Sequence, residues 1–217
     1  MLGLPQSTEL KKIITKKQFY ENVEVSTALK KGFSEQIQRI TWRNKLAATT
    51  INVADGESVE EVEVFELRLN QPSIDEALLK QIDTVIPYHI LFVLEHGSKH
   101  QACIGYKEIT ENGKNAAKVT RYYYTDWTTE ADLAITLEGL SMDAIYENIV
   151  RQIAGDALAD NKQETLQDSV EREQKRQALQ KKIKALEGKI RKEKQLNRQM
   201  KLNGELKQLK KELEGIL

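Results

Sequence analysis

The sequence predicts an α+β chain: a mixed or antiparallel sheet with flanking helices, followed by a long C-terminal tail that is a coiled coil or a helical hairpin. Three observations predict it. Between Ile40 and Thr125, short runs rich in Val, Ile, Thr and aromatics alternate with Gly, Asn and Pro turns, the pattern of strands. Segments with helical spacing lie on either side. Tyr146 is the last aromatic residue, and aromatics dominate packed cores, so the globular body ends near Gly155. The expected division is 1–158 for the globular domain and 159–217 for a basic amphipathic tail, with a linker at about 159–169.

Met1 to Ile40 reads as mostly helical, with Pro5 early and Gly32 interrupting. Ile40–Val53 and Val59–Leu69 read as strands joined at Asp55-Gly56, a hairpin signal because both central residues of such a turn take positive φ. In the second strand Glu61 and Glu63 are out of phase with Glu66 and Arg68, and a bulge near Val64-Phe65 accounts for the slip. Ser73 to Glu76 matches a capping box, and the helix from Ile74 stops before Pro87. Tyr88–Glu95 reads as a buried strand. Gly97-Ser98 turns it into Gln101–Ile109, and Asn112-Gly113 turns that into Val119–Thr125, a three-strand meander. Ser141 caps the last body helix, with Leu140 and Ile145 as a hydrophobic staple. Ile145, Ile149 and Ile153 form its buried face.

The tail carries two apolar seams. Leu179, Ile183, Leu186 and Ile190 are spaced 4, 3, 4, and Leu202, Leu206, Leu209, Leu213 and Ile216 repeat 4, 3, 4, 3. This is coiled-coil spacing, but the two seams are out of register with each other. The chain from Glu193 to Gly204 therefore either continues as a helix with a rotated stripe or breaks near Asn203-Gly204 and folds back. A continuous helix from Thr165 to Leu217 would reach about 80 Å. It would need a partner helix or groove to bury its stripe.

The zero net charge is a cancellation. Residues 160–217 hold 16 Lys+Arg against 10 Asp+Glu, and the preceding residues hold 17 against 23. A basic tail on an acidic body meets something acidic: a partner protein, nucleic acid or another copy. Cys103 is the only cysteine, which excludes an intrachain disulfide framework and fits a reducing cytoplasm. No signal-peptide pattern is read at the N-terminus. No apolar run approaches the ~20 residues that span a bilayer, so no membrane is expected.

The ordered motifs Lys17-Gln18-Phe19-Tyr20, Ile40-Thr41-Trp42 with Lys45-Leu46, and Val64-Phe65-Glu66 continue into Ile86-Pro87 with His89-Ile90-Leu91-Phe92. Tyr106-Lys107-Glu108, Gly139-Leu140 before Ile145-Tyr146, and Lys194-Gln195-Leu196-Asn197-Arg198 before Leu202-Asn203 complete the set. Together they resemble the prokaryotic family called domain of unknown function 4391, over nearly the whole chain. The resemblance implies no established activity. It implies an accessory role in antiphage defence, beside helicase-, methyltransferase- or restriction-like proteins.

Candidate sites follow from residue type and spacing. The seam residues Leu179, Ile183, Leu186, Ile190, Leu206, Leu209 and Leu213 are expected to bind a partner helix, with Asn197 and Asn203 fixing register where the seams change phase. Lys181, Lys182, Lys184, Lys189, Arg191, Lys192 and Arg198 are the nucleic-acid candidates, since Lys and Arg neutralise phosphates. No aromatic is interleaved to stack bases. Asp55 followed by Glu66-Leu67-Arg68 on paired strands is a degenerate metal-dependent nuclease pattern, with Arg68 where a Lys is usual. His96, His100 and Cys103 flank one turn but lack a fourth ligand, so no metal site is expected. Tyr122-Tyr123-Tyr124 with Asp126-Trp127 offers aromatics on both faces of a strand, and Tyr106, Lys107 and Glu108 neighbour them. No phosphate loop, nucleophile elbow or zinc-helix motif is present, and no cofactor is expected. The leading expectation is an accessory or assembly subunit that docks a protein through its tail. The alternatives are a nucleic-acid adaptor and a degenerate nuclease.

Overall fold

The structure, a computed structural model, describes residues 2–21, 23–108, 118–158 and 164–216. The chain divides into two compact units, Met1–Gly155 and Asp156–Leu217. The first is an α+β unit built on seven strands: β1 (Glu9–Ile14), β2 (Ile37–Ala47), β3 (Glu61–Leu69), β4 (His89–His96), β5 (Lys99–Glu108), β6 (Lys118–Tyr124) and β7 (Thr128–Thr129). Their order is β1-β2-β3-β4-β5-β6, with β7 also on β5. The sheet is mixed, because β3 and β4 run parallel while the other pairs run antiparallel. Among the described residues this unit has four α-helices: α1 (Thr27–Gln36), α2 (Ala48–Ile51), α3 (Glu76–Val85) and α4 (Met142–Ala154).

Each sheet face has its own cover. Phe65, Leu67 and Leu69 of β3, with Ile90, Phe92 and Leu94 of β4, alternate onto one face and pack with Phe33 of α1 and Leu78, Leu79 and Ile82 of α3. The other residues of the same strands, Val62, Val64, Leu91 and Val93, are also buried. Helix α4 packs on β5 and β6, and its Tyr146 ring lies 4.3 Å from that of His89, the register partner of Val62. Both faces of a parallel strand pair are thus closed, as such pairs require.

Several elements differ from the sequence reading. The N-terminal segment is not mostly helical: Glu9–Ile14 is an edge strand on β2, and the only α-helix there among the described residues is α1. Leu10, Ile13 and Ile14 mimic helical spacing, yet Leu10 and Ile13 are exposed; β2's edge backbone groups need partners, and that need prevails. β2 and β3 do pair antiparallel, but through a long connection rather than an Asp55-Gly56 turn. The Asp143 carboxylate organises that connection by accepting the N–H groups of Glu57, Ser58 and Val59 at 2.7, 3.1 and 2.8 Å. Gly56 is needed there for close approach, since a Cβ would stand 2.4 Å from the Val59 carbonyl oxygen.

The register slip lies beside Val64-Phe65, but the extra residue is Arg43 on β2. The α3 N-cap is Asp75, not Ser73; its side chain accepts the Ala77 N–H. Gly97, at φ +61°, closes the tight β4–β5 turn as expected. The Asn112-Gly113 turn and the strand end at Ile109 lie outside the described residues. Ser141 caps α4 by accepting the Ala144 N–H, and Ile145, Ile149 and Ile153 are buried. The staple does not form, because Leu140 is 89% exposed.

The second unit holds α5 (Leu166–Lys192) and α6 (Leu196–Glu214). Thr165 caps α5, so of the stretch 159–169, read as a linker or the first turns of the tail helix, residues 166–169 are helical. The chain breaks at 193–195 rather than at Asn203-Gly204. Glu193 and Gln195 are extended, the Glu193 carboxylate accepts the Gln195 N–H at 2.9 Å, and Gln199 Nε2 joins the Glu193 N–H in donating to the Ile190 carbonyl, at 3.3 Å. Helix α6 then folds back along α5, with Lys210 Nζ 2.9 Å from Glu187 Oε1. A single 80 Å helix is excluded. Asn203 sits inside α6 and donates to the Gln199 carbonyl, which removes the reason to read Asn203-Gly204 as a stop.

Candidate functional site

Folding back resolves the mismatch between the two seams. Ile190 and Leu202, Leu186 and Leu206, Ile183 and Leu209, and Leu179 and Leu213 are mirror pairs about position 196. Seams out of register along one helix are in register across an antiparallel hairpin. Ile183 and Leu186 are buried, and Leu179, Ile190, Leu202, Leu206, Leu209 and Leu213 are half-buried. These residues hold the hairpin together. Asn197 and Asn203 are exposed, as are Lys181, Lys182, Lys184, Lys189, Arg191, Lys192 and Arg198. At the tip, Leu196 is 70% and Met200 66% exposed, one turn apart on α6. Lys189–Lys201 places six cationic side chains and one carboxylate around them.

The nuclease candidates do not converge. Asp55 is exposed in the β2–β3 connection, outside both strands, while Glu66 lies within β3. The extra residue at Arg43 turns that side chain onto Glu66, as bulges do: Arg43 Nη1 is 2.9 Å from Glu66 Oε2, and Arg39 is 3.9 Å from its other oxygen. Arg68 forks onto Glu95 at 3.0 and 2.6 Å, a bidentate pair. Among the described residues no three His, Cys, Asp or Glu side chains are grouped to hold a metal ion. Register pairs His100 with Glu95 and Cys103 with Phe92, so these two side chains leave the sheet on opposite faces. Cys103 is buried in the core.

The tyrosine strand is covered on both sides. Tyr122 and Tyr123 are buried, and Tyr124 donates to Glu76 at 3.1 Å. Tyr122 OH donates to Asp83 Oδ2 at 2.5 Å. Lys107 Nζ stands 3.1 Å from Asp83 Oδ1 and donates to the Tyr88 carbonyl at 2.5 Å. Burial pushes the Asp83 carboxyl up, and Lys107 pulls it back.

One feature the sequence reading missed lies between the edge strand and the chain that follows α3. A cavity of about 340 Å³ is lined by Ile14, Phe19, Trp42, Phe65, Ile86 and Tyr88, with Glu63 the buried polar residue on its wall. Glu63 is 2% exposed, and its Oε2 accepts the Trp42 Nε1–H at 2.6 Å. Burial raises its carboxyl to about 7; Trp42 opposes the shift and Glu61 adds to it. The sequence signal was the phase of Glu61 and Glu63. With the bulge on β2, β3 keeps strict alternation, so Glu63 shares its face with Phe65 and Leu67.

A carboxyl raised in the folded state binds its proton over a window where the unfolded chain has lost it. The Glu63 contribution to stability is therefore full below pH 4.5 and is lost as the pH rises through about 7. Glu63→Gln keeps an acceptor for Trp42 and carries no charge. It is expected to exceed the wild type at pH 8 by about 1–2 kcal/mol, after allowance for solvent screening, and to lose that advantage near pH 4. Urea unfolding across this range is the measurement; a Gln variant less stable at pH 8 would contradict it. His89 acts in the other direction. Burial, then Lys107, lowers it to about 3, so its contribution is lost as the pH falls from 6.5 toward 3.

No helix among the described residues is long and apolar enough to cross a membrane. No curated protein and no solved structure matches the chain. The model of the family described as "Domain of unknown function (DUF4391)" matches residues 2–213, and the chain belongs to that family.

Proposed function

We propose that the protein is a non-enzymatic accessory subunit whose helical hairpin docks an acidic surface of a partner protein. The partner class is the helicase- or methyltransferase-like subunit of an antiphage-defence or restriction-like complex in the cytoplasm. The observation that supports this reading is the tip, where Leu196 and Met200 stand exposed among Lys189, Arg191, Lys192, Lys194, Arg198 and Lys201. Protein interfaces combine an apolar centre with a polar rim, and complementary charge speeds their encounter. A phosphate backbone calls for the cations alone. Because the seam residues serve the hairpin itself, docking shifts from them to Leu196, Asn197 and Met200.

The test uses the full chain to capture a partner, which is then purified and titrated against Leu196→Ser/Met200→Ser. The double variant is expected to weaken binding at least tenfold, about 1.4 kcal/mol, with the helical circular dichroism unchanged. Undiminished binding would overturn the reading. The exposure of all seven candidate cations favours a second reading, a nucleic-acid adaptor. Duplex DNA binding that falls steeply with salt, and that the Ser variant leaves intact, would establish it instead. A dimer by sedimentation that the Ser variant dissociates would identify a second copy as the occupant.

A further inference from the structure

The cavity beside Glu63 has no part in the docking reading. Its walls are aromatic and aliphatic: Phe19 and Phe65 are fully buried, and Ile14, Trp42, Ile86 and Tyr88 are half-buried. Trp42 and Phe65 stack at 30° with centroids 6.1 Å apart. Lys12 and Gln18 are exposed and stand at its mouth. Its volume lies at the small end of ligand pockets, which are largely apolar with a few placed polar groups.

Charge decides what such a cavity can take. An ionised carboxylate in apolar surroundings is costly unless it is paired. Trp42 supplies Glu63 with one neutral hydrogen bond, and its other hydrogen-bond neighbour is the Glu61 carboxyl, which brings no positive charge. The nearby cation, Lys45, is committed to Glu61 at 2.6 Å. We propose that this cavity binds a small amphiphilic amine, its ammonium group on the Glu63 carboxylate and its apolar body against Phe19, Trp42 and Phe65. An ammonium ion balances the buried charge, and aromatic ring faces attract cations. The apolar body gains by displacing water from the walls. An anion would meet the Glu63 charge. A heterocycle with several donors and acceptors would leave most of them unpaired against these walls.

The titratable groups around Glu63 are Glu61 on β3, Lys45 on β2, Lys12 on β1 and Tyr88 before β4. Glu61 already holds Lys45, so Glu63 is the carboxyl left to gain a cation. Amine affinity should rise between pH 6 and 8 as Glu63 releases its proton.

Calorimetric titration of the full chain with phenethylamine is the test, with 2-phenylethanol, 3-phenylpropionate and ethylamine as comparators. Phenethylamine is expected to bind at least about tenfold more tightly than the isosteric alcohol, with no binding of the carboxylate or of ethylamine. Glu63→Gln should reduce the amine to the alcohol's affinity and abolish the pH dependence. Ile14→Trp, which fills part of the cavity from its wall and leaves the carboxyl unsubstituted, should block every ligand and decides the matter if the Gln variant does not fold. The proposal is overturned if the amine binds no better than the alcohol, if Glu63→Gln binds it equally well, or if neither binds. Leu196→Ser/Met200→Ser should leave the titration unchanged, so this result is independent of the hairpin's role.

Discussion

Replacing Lys107 by Met will destabilise the α+β unit by about 3–5 kcal/mol, the usual loss when one member of a buried ion pair is removed. Lys107 and Asp83 have almost fully buried side chains, 3.1 Å apart. The ammonium is further held by the Tyr88 carbonyl, and the carboxylate by the Tyr122 hydroxyl. Met occupies the aliphatic stem but leaves Asp83 with Tyr122 as its donor. Burial already pushes that carboxyl up, and without Lys107 the shift grows. The loss should therefore be larger at neutral pH than near pH 4, where the unfolded chain also carries the proton. Lys107→Met/Asp83→Leu should recover much of the stability, because an apolar pair of similar volume often replaces a buried ion pair without loss. Urea unfolding of the three proteins at both pH values is the measurement. A single Met variant as stable as the wild type would show that the pair is not buried as described.

Phe92→Ala is expected to cost about 3–5 kcal/mol as well. Phe92 is fully buried at the centre of the sheet. It stands beside Phe65 in the parallel register and Cys103 in the antiparallel one, with its ring tilted against Tyr122 at 6.3 Å. Neighbours on three hydrogen-bonded strands cannot move in to fill the space, so the full cavity cost remains. Leu206→Ala, in a half-buried position of a two-helix unit, should cost clearly less. If both variants lose the same stability by urea unfolding, the sheet centre is not the rigid core described.

What could be read from the sequence follows the range of the interaction concerned. Gly97-Ser98 and Ser141 act within four residues of themselves, and β4, β5 and the capped α4 stand close to where their chemistry places them. The edge strand β1 was hidden because Leu10 and Ile13 face water, and what holds it is the unpaired edge of β2, a segment distant in sequence. Gly56 was recognised as necessary, but for a turn. Its actual neighbour is the Val59 carbonyl in a loop that Asp143, more than 80 residues later, closes.

The cavity shows the same division. The sequence displayed the phase conflict of Glu61 and Glu63 with Glu66 and Arg68, and a bulge on β3 near Val64-Phe65 would have removed it by turning all four to one face. Pairing placed the bulge at Arg43, which turned Arg43 onto Glu66 and left Glu63 facing the apolar side. That choice requires the register of two strands, a property neither strand holds alone.

By itself the sequence determined the α+β class, the order β4, β5, β6 and α4, the basic character of the C-terminal segment and its two apolar seams. Spacing, turn chemistry and capping are local, and they survive whatever the rest of the chain does. Only the tertiary structure decided that the seams close on each other. Two stripes at mirrored spacing bury more apolar surface folded back than extended, and a break at 193–195 with no glycine in it is stable because the opposing helix, not the turn, supplies the driving force.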